Sequence, residues 1–444
     1  MRFGTDGVRG VANAELTPEF ALSLGRAAAR VLGGDHFLIG RDTCRSGPML
    51  EAALAAGLCA EGRTVELLGV LPTPAVACLS ALDGVGAAVI SGSHNPYADN
   101  GIKLFAPGGL KLRDEVQAAI EAELAAGARK GGGDVPSGAA VGSISHVEGR
   151  ATERYEESVI AALDGRRLDG LRVVLDCANG AASDVAPEVF RRTGASVTVI
   201  HAEPNGRNIN DGCGSTHPDV VAAAVRESGA DIGFAFDGDA DRLLAVDRDG
   251  RLVDGDQLIA IAALDLRARG ELRGDVVVVT VMTNLGFRQG MAAAGIEVVE
   301  TAVGDRNVLE ALDRRGASLG GEQSGHLIFR DRATTGDGLL SALVVADVVT
   351  RADRPIAALA DAAMTRLPQV LRNVRLASTP TDLADRIAER VGQAEAQLGE
   401  SGRVLIRPSG TEPMIRIMVE APTEQAAVAI ADDLVEAVES AADA

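Results

Sequence analysis

The order of apolar and polar runs recurs three times along this 444-residue chain, and that recurrence narrows the choice of fold more than any other feature. A strand-like run opens each repeat: Phe37-Leu38-Ile39-Gly40-Arg41-Asp42, then Val173-Val174-Leu175-Asp176-Cys177, then residues 276–280. A second β-rich run follows in each, at Val65-Glu66-Leu67-Leu68, Val197-Thr198-Val199-Ile200 and Ile296-Glu297-Val298-Val299, with alanine-rich helical stretches between. A third run then ends in an unusual loop: residues 85–90 before Ser93, residues 232–236 before Asp237, and Ala317-Ser318-Leu319 before Glu322. Strands alternating with helices predict α/β domains with parallel or mixed sheets, and such sheets bind ligands beyond the carboxyl ends of their strands. Three chemically loaded loops are therefore expected to face one central cleft.

The last ~75 residues break the pattern, with strands near 370–376, 403–406 and 415–419 and helices near 381–398 and at the end, which predicts a smaller α+β domain. The expected boundaries are 1–153, 154–254, 255–366 and 367–444, with the Gly-rich residues 127–142 a surface excursion of the first domain. Aromatic residues make up only 2% of the chain, so the cores must be built from Ala, Val, Leu and Ile. The net charge of -20 argues against nucleic acid as a partner, which needs a basic face and stacking aromatics. A small anionic substrate stays open, because salt screens a diffuse surface charge beyond about 10 Å. Five cysteines without C-x-x-C spacing fit a reducing compartment, and no run reaches the ~18 apolar residues of a membrane span. A cytoplasmic protein with no membrane or nucleic-acid partner is expected, as a monomer or homodimer.

Four loops carry the chemistry. In Ser91-Gly92-Ser93-His94-Asn95-Pro96 small residues at a strand's end display the Ser93 hydroxyl as a nucleophile would be displayed, with Lys103 ten positions on. Lysine is informative here because only Lys103, Lys111 and Lys130 occur among 43 basic residues, and a lysine, unlike arginine, can lose its proton. His94 reads as an organiser of that loop rather than a base. In Asp237-Gly238-Asp239-Ala240-Asp241-Arg242 three carboxylates at alternate positions of an extended segment could turn to one side and bind a hard cation such as Mg²⁺. A calcium EF-hand would need Gly and Glu where Arg242 and Arg248 stand. An aspartyl nucleophile at Asp237 is a rival reading. The loop Gly320-Gly321-Glu322-Gln323-Ser324-Gly325-His326 suits a polyol, with Glu322 and Ser324 bonding adjacent hydroxyls. The stretch Arg407-Pro408-Ser409-Gly410-Thr411-Glu412-Pro413, with Arg416 beyond it, offers cations and backbone N–H groups for a phosphate.

These loops, in this order and together with Phe3-Gly4-Thr5-Asp6-Gly7-Val8-Arg9-Gly10, resemble the α-D-phosphohexomutases over the whole chain. Asn208-Ile209-Asn210, Cys213-Gly214-Ser215-Thr216-His217, Val303-Gly304-Asp305-Arg306 and Gln323 make the chain similar to the bacterial phosphoglucosamine mutases within that family. Phosphoglucomutase and phosphomannomutase siblings, which usually differ at position 323, are the alternative. The resemblance implies three α/β domains and a C-terminal α+β domain around one cleft. The implied reaction interconverts glucosamine 6-phosphate and glucosamine 1-phosphate through a 1,6-bisphosphate, on the route to UDP-N-acetylglucosamine and cell-wall precursors. By the same resemblance Ser93 holds the phosphoryl group and contributes with Asp237, Asp239 and Asp241 to the Mg²⁺ site. Arg9, Lys103 and His326 match acid, base or transition-state positions, while Glu322, Ser324 and Arg242 would bind the substrate. Arg407, Ser409, Gly410, Thr411 and Arg416 would grip the non-reacting phosphate. Two places depart from the family pattern: Cys44-Arg45 shifts an arginine by one position, and Asn307 replaces an aromatic.

Overall fold

The computed structural model describes residues 3–4, 7–126, 136–376, 383–408 and 414–443. The chain forms two compact units, Met1–Met282 with Ile296–Asp361, and Thr283–Gly295 with Ala362–Ala444. The first unit holds three sheets. Strands β1 (Val8–Val11), β2 (His36–Arg41), β3 (Thr64–Val70), β4 (Gly86–Ile90), β5 (Asp99–Ala106), β6 (Leu110–Lys111) and β7 (Ile144–His146) form the first, in the order β1-β5-β4-β2-β3-β7 with β6 beside β5. The second, from β8 (Arg172–Asp176), β9 (Ser196–Ile200), β10 (Ile232–Phe236), β11 (Leu243–Asp247) and β12 (Leu252–Val253), has the order β12-β11-β10-β8-β9. The third, from β13 (Val276–Thr280), β14 (Glu297–Thr301), β15 (Leu319–Gly321) and β16 (Leu327–Phe329), runs β14-β13-β15-β16.

One plan underlies all three. The opening strand of each repeat pairs in parallel with the second and third strands, as β2 does with β3 and β4, β8 with β9 and β10, and β13 with β14 and β15. The third strand then turns back antiparallel: β4 onto β5, β10 onto β11, and β15 onto β16. Each chemical loop is thus the tip of a hairpin, held at both ends by ladder hydrogen bonds. Periodicity gives the strands but not the turn-back, because parallel and antiparallel core strands are both continuously apolar, as Gly86–Ile90 and Ile232–Phe236 are.

Two expectations shift. The third strand of the last repeat starts at Leu319 rather than Ala317, because the Ser318 hydroxyl accepts from Arg273 N (3.1 Å) and donates to Glu271 O (3.2 Å). Residues 144–146 add an edge strand beside β3, in register Val65↔Ile144, that sequence reading left out; all three are exposed, so no apolar alternation marks them. Of the expected surface excursion, residues 127–135 lie outside the described residues, and Gly138–Ala140 forms an exposed turn. The cores are aliphatic as composition requires; Leu24, Ile39, Leu50, Leu54, Leu58 and Ile90 are fully buried in the first.

In the second unit β17 (Gln369–Arg375), β18 (Arg403–Pro408) and β19 (Met414–Glu420) form an antiparallel sheet with β19 central. Ile415, Ile417 and Val419 turn to one side and pack with Leu434 and Val438 of the helix Glu424–Asp443. Residues at alternate positions, Arg416 among them, take the other side. The helix Leu285–Ala293 joins this unit, its first N–H donating to Glu420 Oε2 at 2.9 Å.

Candidate active site

Ser93 is buried and held in the left-handed region at φ 57°. A non-glycine residue there costs roughly 1–2 kcal/mol unless its surroundings fix it. They do so from three sides. Ser91 Oγ accepts Ser93 N (2.9 Å) and donates to Asp42 Oδ2 (2.6 Å), while Asp42 Oδ1 accepts Cys44 N at 2.8 Å. From the loop after β9 Asn210 Nδ2 donates to Ser93 O (2.8 Å) and Asn95 O (3.0 Å). The Arg41–Gly47 stretch therefore buttresses the serine loop. Burial and Asp42 push the Cys44 thiol well up, so the departure at this position leaves an inert buried sulfur.

The Ser93 hydroxyl donates to Asp237 Oδ2 at 2.7 Å. Asp237, Asp239 and Asp241 are all buried, and one oxygen of each lies within 4.8 Å of the others. They converge through a tight turn, closed by Ala240 N to Asp237 O (3.0 Å) with Ala240 at φ 55°, rather than through the extended segment expected. Gly238 is required where this turn meets the serine loop, since a Cβ there would stand 2.5 Å from Ser93 O. Lys103, on β5, reaches in to donate to Asp239 Oδ2 (2.7 Å) and Asp241 Oδ2 (3.3 Å), and Thr73 Oγ1 donates to Asp239 Oδ2 (2.5 Å).

Two of the three carboxyls are shifted in opposite directions. Burial and the two neighbouring aspartates push Asp237 well above the usual carboxylate range. Burial would raise Asp241 as well, but Lys103 and His326 outweigh it and hold that carboxyl well below its ordinary value. Asp239 Oδ1 and Asp241 Oδ1 are buried and accept no hydrogen bond among the described residues. Carboxylate oxygens that accept no hydrogen bond among the described residues, beside a third acid and a serine hydroxyl, fit a hard divalent cation, whose charge would favour the ionised form of Asp237.

A cavity of about 480 Å³ opens onto this cluster, lined by Arg9, Ser93, Arg242, Glu322 and His326 among others. Arg242 N donates to Asp237 Oδ1 at 3.1 Å, and Glu322 Oε1 accepts Gly304 N at 3.0 Å, which ties the Glu322 loop to the 303–305 stretch. His326 Nε2 accepts Gly336 N (3.2 Å), so the ring proton of a neutral imidazole sits on Nδ1, 3.6 Å from Asp241 Oδ1. A Cβ at position 336 would lie 2.4 Å from Nε2, so glycine is needed there. Burial depresses the His326 imidazole, yet Asp241 and Asp305 more than offset it and its pKa is raised. His94, 3.4 Å from Ser93 Oγ, is held below its ordinary value by burial and by Arg242 and Arg9.

Of the residues singled out from sequence, Ser93, Lys103, the three aspartates, Arg242, Glu322, His326 and Arg9 gather around this cavity, whereas Ser324 is exposed and absent from its lining. Sequence reading missed Thr73, named Asn210 and Asp305 only within signature motifs, and left unassigned the charged chain in which Lys111 pairs with Asp305, whose Oδ2 stands 3.8 Å from His326 Nε2. The scarcity of lysine was a usable signal for Lys111, since both described lysines are largely buried at this site.

In the second unit Arg407 and Arg416 face each other directly across β18 and β19. Burial and the Arg416 charge lower the Arg407 pKa, and Arg416 Nε is buried and makes no hydrogen bond among the described residues. Like charges directly opposite on neighbouring strands are destabilising unless an anion joins them. Ser409, Gly410 and Thr411 lie outside the described residues.

Three repeated α/β sheets with buried acids beside a serine, followed by a small antiparallel domain, define a recognisable class. The models of the phosphoglucomutase/phosphomannomutase family match in sequence: alpha/beta/alpha domain I at 1–130, domain II at 153–250, domain III at 254–367 and the C-terminal domain at 371–437. The chain belongs to this family, the α-D-phosphohexomutases. It is 54% identical to the phosphoglucosamine mutase of Frankia alni, with 96% of this chain and 95% of that protein covered. It is likewise 54% identical to the phosphoglucosamine mutase of Saccharopolyspora erythraea, with 98% of each covered. A crystal structure of a phosphoglucomutase/phosphomannomutase family protein from Burkholderia thailandensis superposes with a TM-score of 0.80 at 26% identity, covering 98% of this chain and 97% of that one.

Proposed function

We propose that this protein is an isomerase that interconverts glucosamine 6-phosphate and glucosamine 1-phosphate through a phosphoserine at Ser93 and a glucosamine 1,6-bisphosphate intermediate. The observation that carries the chemistry is the Ser93 hydroxyl, 2.7 Å from Asp237 in a cluster with two buried carboxylate oxygens that accept no hydrogen bond among the described residues. The substrate follows from full-length similarity to phosphoglucosamine mutases, and the product would feed UDP-N-acetylglucosamine and cell-wall precursor synthesis.

Asp237, Asp239 and Asp241, with an oxygen of the modified Ser93, would hold Mg²⁺, which offsets negative charge on the transferring group. Phosphoryl transfer asks the chain mainly for alignment. Phosphorylated Ser93 loses its P–Oγ bond as a sugar hydroxyl forms a new P–O bond, and the hydroxyl proton leaves to a site base. Arg9, Lys103 and His326 surround the exchange to supply acid, base and cationic support, while Arg242 and Glu322 orient the sugar. Ser324, exposed in this structure, would reach a hydroxyl only in the substrate-bound form. Arg407 and Arg416, with Ser409, Gly410 and Thr411, would grip the phosphate that is not reacting. The bisphosphate must then turn over, and a small separate domain suits a grip that is released and remade. Domains at 1–153, 154–254, 255–366 and 367–444 would each contribute one loop.

A coupled assay run on both hexose phosphates tests the substrate. Glucosamine 6-phosphate should be converted with the higher kcat/KM, whereas an equal or greater value for glucose 6-phosphate would assign the chain to the sibling activity.

A further inference from the structure

A second set of metal-type side chains stands at the strand ends of the second sheet, apart from the aspartate turn. Asp176 closes β8, His201 directly follows β9, and Cys213 precedes the short turn Gly214–Thr216. A carboxylate oxygen, a ring nitrogen and the sulfur lie within 4.8 Å of one another. Asp176 and Cys213 are fully buried, while the His201 side chain is 32% exposed. His201 Nδ1 stands 3.1 Å from Asp176 Oδ1, yet it is buried and makes no hydrogen bond among the described residues. Each Asp176 oxygen accepts one backbone N–H, from Ala178 and Gly214 at 3.0 Å, and keeps a further lone pair. Asn179 Nδ2 points at Cys213 Sγ from 3.8 Å, the outer support that a thiolate ligand needs.

We propose that Asp176, His201 and Cys213 form a second metal site, for a borderline-soft divalent cation of the zinc type. A mixed imidazole, thiolate and carboxylate set suits Zn²⁺ and serves Mg²⁺ poorly, because Mg²⁺ takes oxygen ligands. Three protein ligands leave a fourth position for water. His201, Asn179, Glu203 and Asn208 line an open polar cavity of about 770 Å³ that provides the entry path. On binding, the Cys213 S–H bond gives way to a sulfur–metal bond and the proton leaves to solvent. The site also touches the reaction's scaffold: Ala178 O accepts Asn210 N at 2.9 Å, and Asn210 holds the serine loop. A bound ion would therefore stiffen the support of Ser93 from behind.

The test uses the untagged full chain in excess Mg²⁺, titrated with Co²⁺ as a spectroscopic stand-in for zinc. One equivalent should give thiolate-to-cobalt charge-transfer absorption, which Zn²⁺ abolishes by displacement. Cys213→Ser should lose the band, and Asp239→Asn should keep it. Because removing a buried sulfur can unfold the chain, His201→Gln at a partly exposed position carries equal weight, and it should weaken Co²⁺ binding at least tenfold. Absence of a charge-transfer band in the wild-type protein, or a band of unchanged affinity in His201→Gln, overturns the proposal.

Discussion

The acid turn at 237–241 and the arginine pair on the C-terminal sheet are one device built with opposite signs. Each holds like charges together and buries polar atoms that make no hydrogen bond among the described residues: carboxylate oxygens of Asp239 and Asp241 in one, Arg416 Nε in the other. Like charges placed so close favour an ion of opposite sign at each. They differ in depth. The aspartates are at most 5% exposed and surrounded by fixed donors, whereas Arg407 and Arg416 are only partly buried. A ligand charge counts for more where water is excluded, so the acid turn should be the less forgiving of the two. Asp337 is a useful contrast, a lone buried acid whose burial raises its pKa to about 6 and which takes hydrogen bonds from Tyr155 and Leu340 instead of a cation.

The largest effect should come at the nucleophile beside the acids. Ser93→Ala is expected to remove nearly all mutase activity while circular dichroism stays that of the wild type; an active variant would show that the serine only lines the turn. Next, Asp239→Asn removes a charge from the cluster and weakens the partner of Lys103. Titration calorimetry should show Mg²⁺ affinity down by about tenfold or more, and EDTA should abolish wild-type turnover until Mg²⁺ is restored. Unchanged Mg²⁺ binding would break the claim that the buried carboxylate oxygens await a cation.

Arg416→Ala probes the shallower half of the comparison. A charge-assisted contact is worth about 1.5–3 kcal/mol, so kcat/KM should fall roughly ten- to a hundredfold while the phosphate on Ser93 survives. More bisphosphate should also escape into solution, and leakage equal to the wild type with unchanged kcat/KM would make the arginines structural.

The smallest effect belongs to the lone acid. With a folded pKa of about 6 against an ordinary 3.8, folded Asp337 holds a proton that the unfolded chain has lost, so its contribution to stability is complete at low pH and fades as pH rises through 6. Asp337→Asn should cancel that slope, and urea unfolding at pH 5 and pH 7 should show the wild type losing stability relative to the variant. Parallel pH dependence of the two proteins would refute the assignment.

Much of this was legible before any coordinates. Apolar runs such as Ile232–Phe236 fixed the strands because burial on both faces leaves no other composition. The density of acids at 237–241 and the isolation of Ser93 among small residues pointed to two loops that the fold brings together. What stayed hidden depends on contacts between distant segments. Thr73 reaches Asp239 with nothing in its local sequence to announce the bond, and the Asn208-Ile209-Asn210 motif marks Asn210 without naming Ser93 as its partner. Lys111 pairs with Asp305 for the same reason. The convergence of the aspartates was foreseen but its backbone was not, since a left-handed alanine at position 240 carries no composition signal. Ser324, which the density of polar residues offers as a sugar contact, stands exposed in the fold.

The most direct test of the central claim follows a label. Wild-type protein incubated with phosphate-labelled glucosamine 1,6-bisphosphate should carry acid-stable label at Ser93 alone, and unlabelled glucosamine 6-phosphate should chase it fully into hexosamine phosphates. Label that is acid-labile and maps to Asp237, or that stays on the protein through the chase, would contradict the phosphoserine account.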